Sequence, residues 1–179
     1  MADGMNGIIF GFSTQKKFNL VSWLIQKIER AKYSHVYIRV YSEQAERWLV
    51  YHASRERMNF MNFDQFRDQN NIICEYLVQG NEEQNRKVLQ FSVDSVALPY
   101  GRRSLLGIGL SRVVKSWFKK SIPNLLHAGQ NTLVCTELAG HCLNLLGGSI
   151  TLEELELMGL NDIHSHIAKF PTALTIQVT

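Results

Sequence analysis

The chain has little of what marks a disulfide scaffold, a membrane span or a string of domains. Three cysteines, Cys74, Cys135 and Cys142, occur in 179 residues. They are too few and too irregularly spaced for a disulfide framework, and no CxxC pair suggests a zinc ribbon or a thioredoxin-type site. A reducing compartment fits that usage. With only three prolines there is no Pro-rich linker, and neither an internal repeat nor a low-complexity tract divides the chain. No apolar run reaches the roughly 18 residues of a membrane span. The N-terminal MADGMNGIIFGFSTQKK lacks the cationic start and long apolar stretch of a signal peptide. The expectation is a cytoplasmic protein, unless something else exports it.

What is present is ordinary globular composition, 45% hydrophobic and 20% charged, which argues against extensive disorder. The length suits one well-buried core, so residues 1–179 are expected to form a single domain. Charge is unevenly spread. Arg102, Arg103, Arg112, Lys115, Lys119 and Lys120 fall in one segment without an acid, and removing these six turns the net charge from +3 to −3. A slightly acidic body with one basic patch suits an anionic partner: lipid headgroups, cell-wall polymer or, least favoured, nucleic acid. A solvated helix face accounts for the same pattern equally well.

Periodicity gives an α+β chain with an antiparallel sheet. Gly7 to Phe12 reads as a strand, and Leu20, Leu24, Ile28 and Ala31 recur at helical spacing, predicting an amphipathic helix that ends near Lys32. Ser34 to Tyr41 and Arg47 to Ala53 alternate with period two and form a hairpin around residues 42–45. A short helix from Phe63 to Asp68, a strand from Ile72 to Gln79 and a helix from Glu82 to Ala97 follow, closed by Pro99. Asn131 or Thr132 can cap a helix running to Leu146, ended by Gly147 and Gly148. One or two short helices after Thr151 and a strand from Leu174 to Val178 complete the chain.

Chemistry concentrates on one cysteine. Cys142 lies on an apolar helix stripe and Cys74 in an apolar strand, as buried thiols usually do. Cys135 instead occupies the first turn of its helix, where the dipole and unpaired N–H groups can stabilise a thiolate and later an oxyanion. A nucleophilic thiol needs a base and a group that orients the base. With residues 42–45 as the loop, His35 falls directly across from His52 on the same sheet face; with His35 expected to face the Cys135 helix, His52 can fix its tautomer. Histidines on neighbouring strands also fill half-buried surfaces without any such role. His164 and His166, two apart on a helix, face different ways and make a poor metal pair; no metal or other cofactor is expected.

The stretches AKYSHVYIRV, WLVYHAS and NTLVCTELAGHCL resemble, in order and spacing, the permuted NlpC-type papain-like cysteine hydrolases, the branch of lecithin:retinol acyltransferase-like and YiiX-like proteins. Ser34-His35-Val36 and Cys135-Thr136-Glu137 match its histidine and cysteine motifs, and His52 falls where a third polar residue is expected. The resemblance runs from Gly7 to Leu146. It implies a circularly permuted papain-like fold, a sheet packed against a cysteine-bearing helix, with Cys135, His35 and His52 catalytic. Tyr100, in a "PY" element, and Thr136 become substrate or oxyanion contacts, while Glu137 belongs to the structural part of its motif. About 34 residues separate Tyr100 from Cys135, more than compact members have, and the excess is a basic insertion at about 102–130.

Three functions follow as expectations. The first is a thiol peptidase or amidase acting on a cell-wall peptide, such as peptidoglycan, or on a small amide. The second is a lipid hydrolase or acyltransferase that docks on anionic membrane through Leu105, Leu106, Trp117, Phe118 and the six cations. The third is a non-enzymatic binding or assembly protein on the same scaffold.

Overall fold

The computed structural model describes residues 7–54, 57–99 and 134–177. In chain order these form β1 (Gly7–Gln15), α1 (Leu20–Glu29), β2 (His35–Ser42), β3 (Arg47–Ala53), β4 (Met58–Asn62), α2 (Phe63–Gln69) and β5 (Asn70–Gln79). Then come α3 (Glu82–Asp94), α4 (Cys135–Leu145), α5 (Leu152–Leu157), α6 (Leu160–Ala168) and β6 (Ala173–Ile176). The strands make one open six-stranded sheet in the order β4-β3-β2-β1-β5-β6, antiparallel at every junction. The chain is therefore α+β.

The central strand β1 is covered on both faces, which is why it reads as a nearly unbroken apolar run rather than an alternation. Ile8, Phe10 and Phe12 point into the main core with Val36, Ile38 and Val40 of β2. The buried stripe of α4, Leu138, Ala139, Cys142 and Leu143, lies against them, joined by Leu155 of α5 and Ile163 and Ile167 of α6. Gly140 allows this layering, because a Cβ there would collide with the Leu155 side chain. The opposite sheet face carries a smaller cluster in which Tyr37 and Val50 pack on Phe66 of α2. Beside it Glu75 accepts a 2.7 Å hydrogen bond from Tyr37 Oη and a 2.9 Å ion pair from Arg39, whose guanidinium lies over the rings of Trp48 and Phe63.

Four sequence expectations change. The β2–β3 loop is residues 43–46, with Glu46 in the left-handed region at φ 48°. Ile38 therefore pairs with Tyr51, and His35 lies diagonal to His52 rather than across from it. The slip moves each strand by a whole pleat, so both histidines keep the same face. β4, whose MNFMN sequence has no period-two pattern, is an added edge strand. α3 stops at Asp94 because Ala97, at φ 70°, turns the chain so that Ala97 and Leu98 bond to Met58 in β4. The cysteine helix has Val134 as its N-cap, not Asn131 or Thr132, which lie outside the described residues. Val178 of the expected last strand also lies outside them.

Helix α1 is the expected amphipathic helix, over Leu20–Glu29. None of its residues is buried: Leu20, Val21, Trp23 and Leu24 are exposed, while Ile25 and Ile28 are half-buried.

Candidate active site

α4 opens at Cys135, its first helical residue. Val134, in extended conformation, has no side-chain cap to offer. Instead the buried Glu137 carboxylate reaches back and accepts the Val134 N–H at 2.9 Å. This is the acidic half of a capping box, and it assigns the glutamate of the Cys-Thr-Glu triplet a structural task.

The Cys135 thiol is buried, and its sulfur receives backbone N–H groups of Val36, Thr136 and Cys135 itself. Burial raises its pKa and these N–H contacts lower it; burial prevails, and the thiol is pushed up to about 11. The helix N-terminus alone thus does not produce a thiolate here, contrary to expectation, because desolvation of the anion outweighs the local donors. Cys142 is pushed higher still by burial, and half-buried Cys74 is raised by the same cause.

His35 begins β2 opposite Ser13 of β1, and His52 in β3 lies opposite Asn59 of β4. The two imidazole centroids are 5.5 Å apart at 83°, and both rings contact Phe66. They therefore stand on the α2 face, whereas Cys135 belongs to the core on the α4 face; His35 does not face the cysteine helix as expected, because successive strand residues alternate faces and it is Val36 that points to that helix. Thiol and imidazole approach each other only through the β2 backbone, the sulfur meeting the amide of Val36, one residue beyond His35. Among the described residues His35 Nε2 and His52 Nε2 have no hydrogen-bond partner, and the groups acting on the Cys135 thiol are backbone amides and Glu137, with no imidazole among them.

Burial lowers the His35 pKa to about 3, with a smaller push from His52. His52 falls to about 4, again through burial, opposed by a backbone contact at Ala53. At neutral pH there is thus a protonated thiol on one face of the sheet and two neutral imidazoles on the other.

Strand pairing also assembles a feature that residue-by-residue reading missed. Ser13, His35, His52 and Asn59 form a row across four consecutive strands on one face, and Ser13 Oγ and Asn59 Oδ1, like the two Nε2 atoms, are buried without a partner among the described residues. Unpaired buried polar atoms are costly and uncommon, and four in one row mark a place built for polar contacts. Nothing in the local sequence of Ser13 or Asn59 points to it, since both join through register alone.

Thr136 is buried beside Cys135 and contributes its main-chain N–H. Tyr100 and the basic residues Arg102, Arg103, Arg112, Lys115, Lys119 and Lys120 lie outside the described residues. His164 sits in an aromatic nest, bonded to Tyr76 Oη at 3.0 Å and packed against Phe12 and Tyr33, while His166 is exposed. Among the described residues no three His, Cys, Asp or Glu side chains gather as a metal site, and no helix is long and apolar enough to cross a membrane. Neither a scan against protein-family models nor a search of curated proteins finds a match to this chain.

Proposed function

We propose that this chain is a thiol hydrolase of the permuted papain-like kind, cleaving an amide with Cys135 as nucleophile, His35 as base and His52 as the residue that positions His35. The observation that carries the reading is the seat of the Cys135 sulfur. It lies at a helix N-terminus, on the amides of Thr136 and of Val36, beside the strand residue whose imidazole contacts a second imidazole.

The reaction requires the start of β2 to rearrange so that the His35 imidazole leaves the α2 face and reaches the sulfur; it then takes the proton, and the thiolate attacks the substrate carbonyl. The oxyanion accepts from the Thr136 N–H, His35 returns the proton to the leaving amine, and water releases the acyl group from sulfur. This reading takes the conformation described above as a resting one, in which the thiol still holds its proton and the imidazole has yet to reach it. Following the resemblance, the substrate is a cell-wall peptide or another small amide.

A thiol-reactive acyl probe tests nucleophile and enzyme status together, with Cys74 and Cys142 as internal controls. Labelling confined to Cys135, and loss of hydrolysis of peptidoglycan fragments and model amides in Cys135→Ala, are expected. Equal labelling of all three cysteines would refute the reading. The buried, protonated thiol favours one second reading, a binding scaffold without catalysis, and that same result would support it.

A further inference from the structure

Helix α1 is held with its polar stripe inward. Ser22 Oγ hydrogen-bonds Ser34 Oγ, Gln26 Nε2 donates to the Lys32 carbonyl at 3.0 Å, and Asn161 Nδ2 donates to the Glu29 carbonyl. Of the helix's apolar residues, Ile25 alone packs against the main core. At the front of the helix, Phe18 is 82% and Leu20 66% exposed, while Trp23 and Leu24 remain 45% and 44% exposed. Leu20, Trp23, Leu24 and Lys27 recur at the spacing of a single helix face. Lys16, Lys17 and Lys27 are exposed around them, and Glu29 is the one acid between residues 16 and 32.

An outward face of this size, fixed by hydrogen bonds on its reverse side, is not a scatter of surface hydrophobes. We propose that α1 is an interfacial helix that seats the protein on an anionic lipid bilayer. Phe18, Leu20, Trp23 and Leu24 enter the boundary between headgroups and acyl chains, and Lys16, Lys17 and Lys27 meet the lipid phosphates. Charge complementarity selects this occupant: an apolar strip edged by cations needs an apolar layer bordered by anions, which a bilayer of acidic phospholipid supplies. The docking face is tied to the candidate site through Ser34, the neighbour of His35. It does not depend on Cys135 being a nucleophile, because membrane binding involves no catalysis.

The test is co-sedimentation at low salt with vesicles of phosphatidylcholine alone or mixed with phosphatidylglycerol. Three proteins are compared: wild type, Phe18→Ser/Trp23→Ser and Lys16→Glu/Lys17→Glu. All the altered positions are exposed, so thermal melts should match. Wild type should pellet with the anionic vesicles and not with the neutral ones, and each double variant should bind on the order of tenfold more weakly or less. The proposal is overturned if wild type stays in solution, if it binds both vesicle types equally, or if Phe18→Ser/Trp23→Ser pellets like wild type, which would assign binding to another surface. It is equally overturned if wild type ignores vesicles but forms a dimer that Phe18→Ser/Trp23→Ser abolishes; the face would then belong to a second copy.

Discussion

Two neutral imidazoles packed together behind Phe66 should make the protein acid-labile, and the effect can be isolated. His35 and His52 have folded pKa values of about 3 and 4, below the ordinary value near 6.5. Below about pH 6.5 the unfolded chain therefore takes up two protons that the folded chain refuses. Stability from the pair is complete above that pH and is lost as pH falls toward the folded values. Each imidazole contributes a slope approaching about 1.4 kcal/mol per pH unit, so going from pH 6 to pH 5 should cost the pair roughly 2 kcal/mol. That is a sizeable share of the ~5–15 kcal/mol typical of a domain. The measurement is urea unfolding at pH 7, 6 and 5 on wild type and on His35→Gln/His52→Gln, whose amides do not titrate. His141 and His164 are also lowered by burial, but they remain in both proteins, so the difference in slope reports the pair. Equal slopes in the two proteins would refute the reasoning, as would a wild type whose stability is flat between pH 6 and 5.

In the conformation described, the Cys135 pKa of about 11 predicts that at pH 8 iodoacetamide, which occupies no substrate site, labels this cysteine about a hundredfold more slowly than an ordinary thiol, with a rate still climbing above pH 10. Selective labelling of Cys135 is expected only of the acyl probe, whose binding has to bring the site into its active arrangement. Mass spectrometry of quenched samples reads the iodoacetamide rate directly, and a plateau near neutral pH would mean that the sulfur spends much of its time in another, ionised setting. On the α2 face, Glu75→Gln should destabilise the fold by about 3–5 kcal/mol, because it leaves the buried Arg39 charge uncompensated. Chemical denaturation of Arg39→Met/Glu75→Gln should recover most of that loss; failure to recover would show that the pair itself, and not the stranded charge, carries the stability.

Strong local periodicity made most of the elements readable from the sequence, and long-range geometry withheld the rest. The strand from Gly7, the short helix from Phe63 and the helix carrying Cys135 follow from composition and period and, for the last, from the glycines that end it, although its expected caps at Asn131 or Thr132 do not begin it. β4 does not, because MNFMN takes its conformation from pairing with β3 and from the turn at Ala97. The hairpin register hinged on whether Glu46 belongs to the loop, which depends on one left-handed residue. The place of Cys135 in the first turn of its helix and the shared face of the two histidines were legible, whereas the burial that sets their protonation and the opposite faces on which thiol and imidazoles stand were not. Helix α1 shows the limit most clearly: spacing identified an amphipathic helix, but not that the hydrogen bonds of Ser22 and Gln26 hold it with Leu20, Val21, Trp23 and Leu24 exposed.

Gly11 sits between Tyr37 and Glu75, paired with each across a strand boundary. A Cβ there would strike the Tyr37 ring, so that ring crosses above the strand and its hydroxyl spans to the carboxylate on the far side. Three strands are thereby fastened by one aromatic side chain that no local pattern would single out. Among diverging descendants of this chain these positions should evolve as a unit. A larger residue at 11 displaces the tyrosine, loss of the tyrosine leaves a carboxylate one donor short, and only a line that replaces all three together can leave this arrangement without passing through a damaged intermediate.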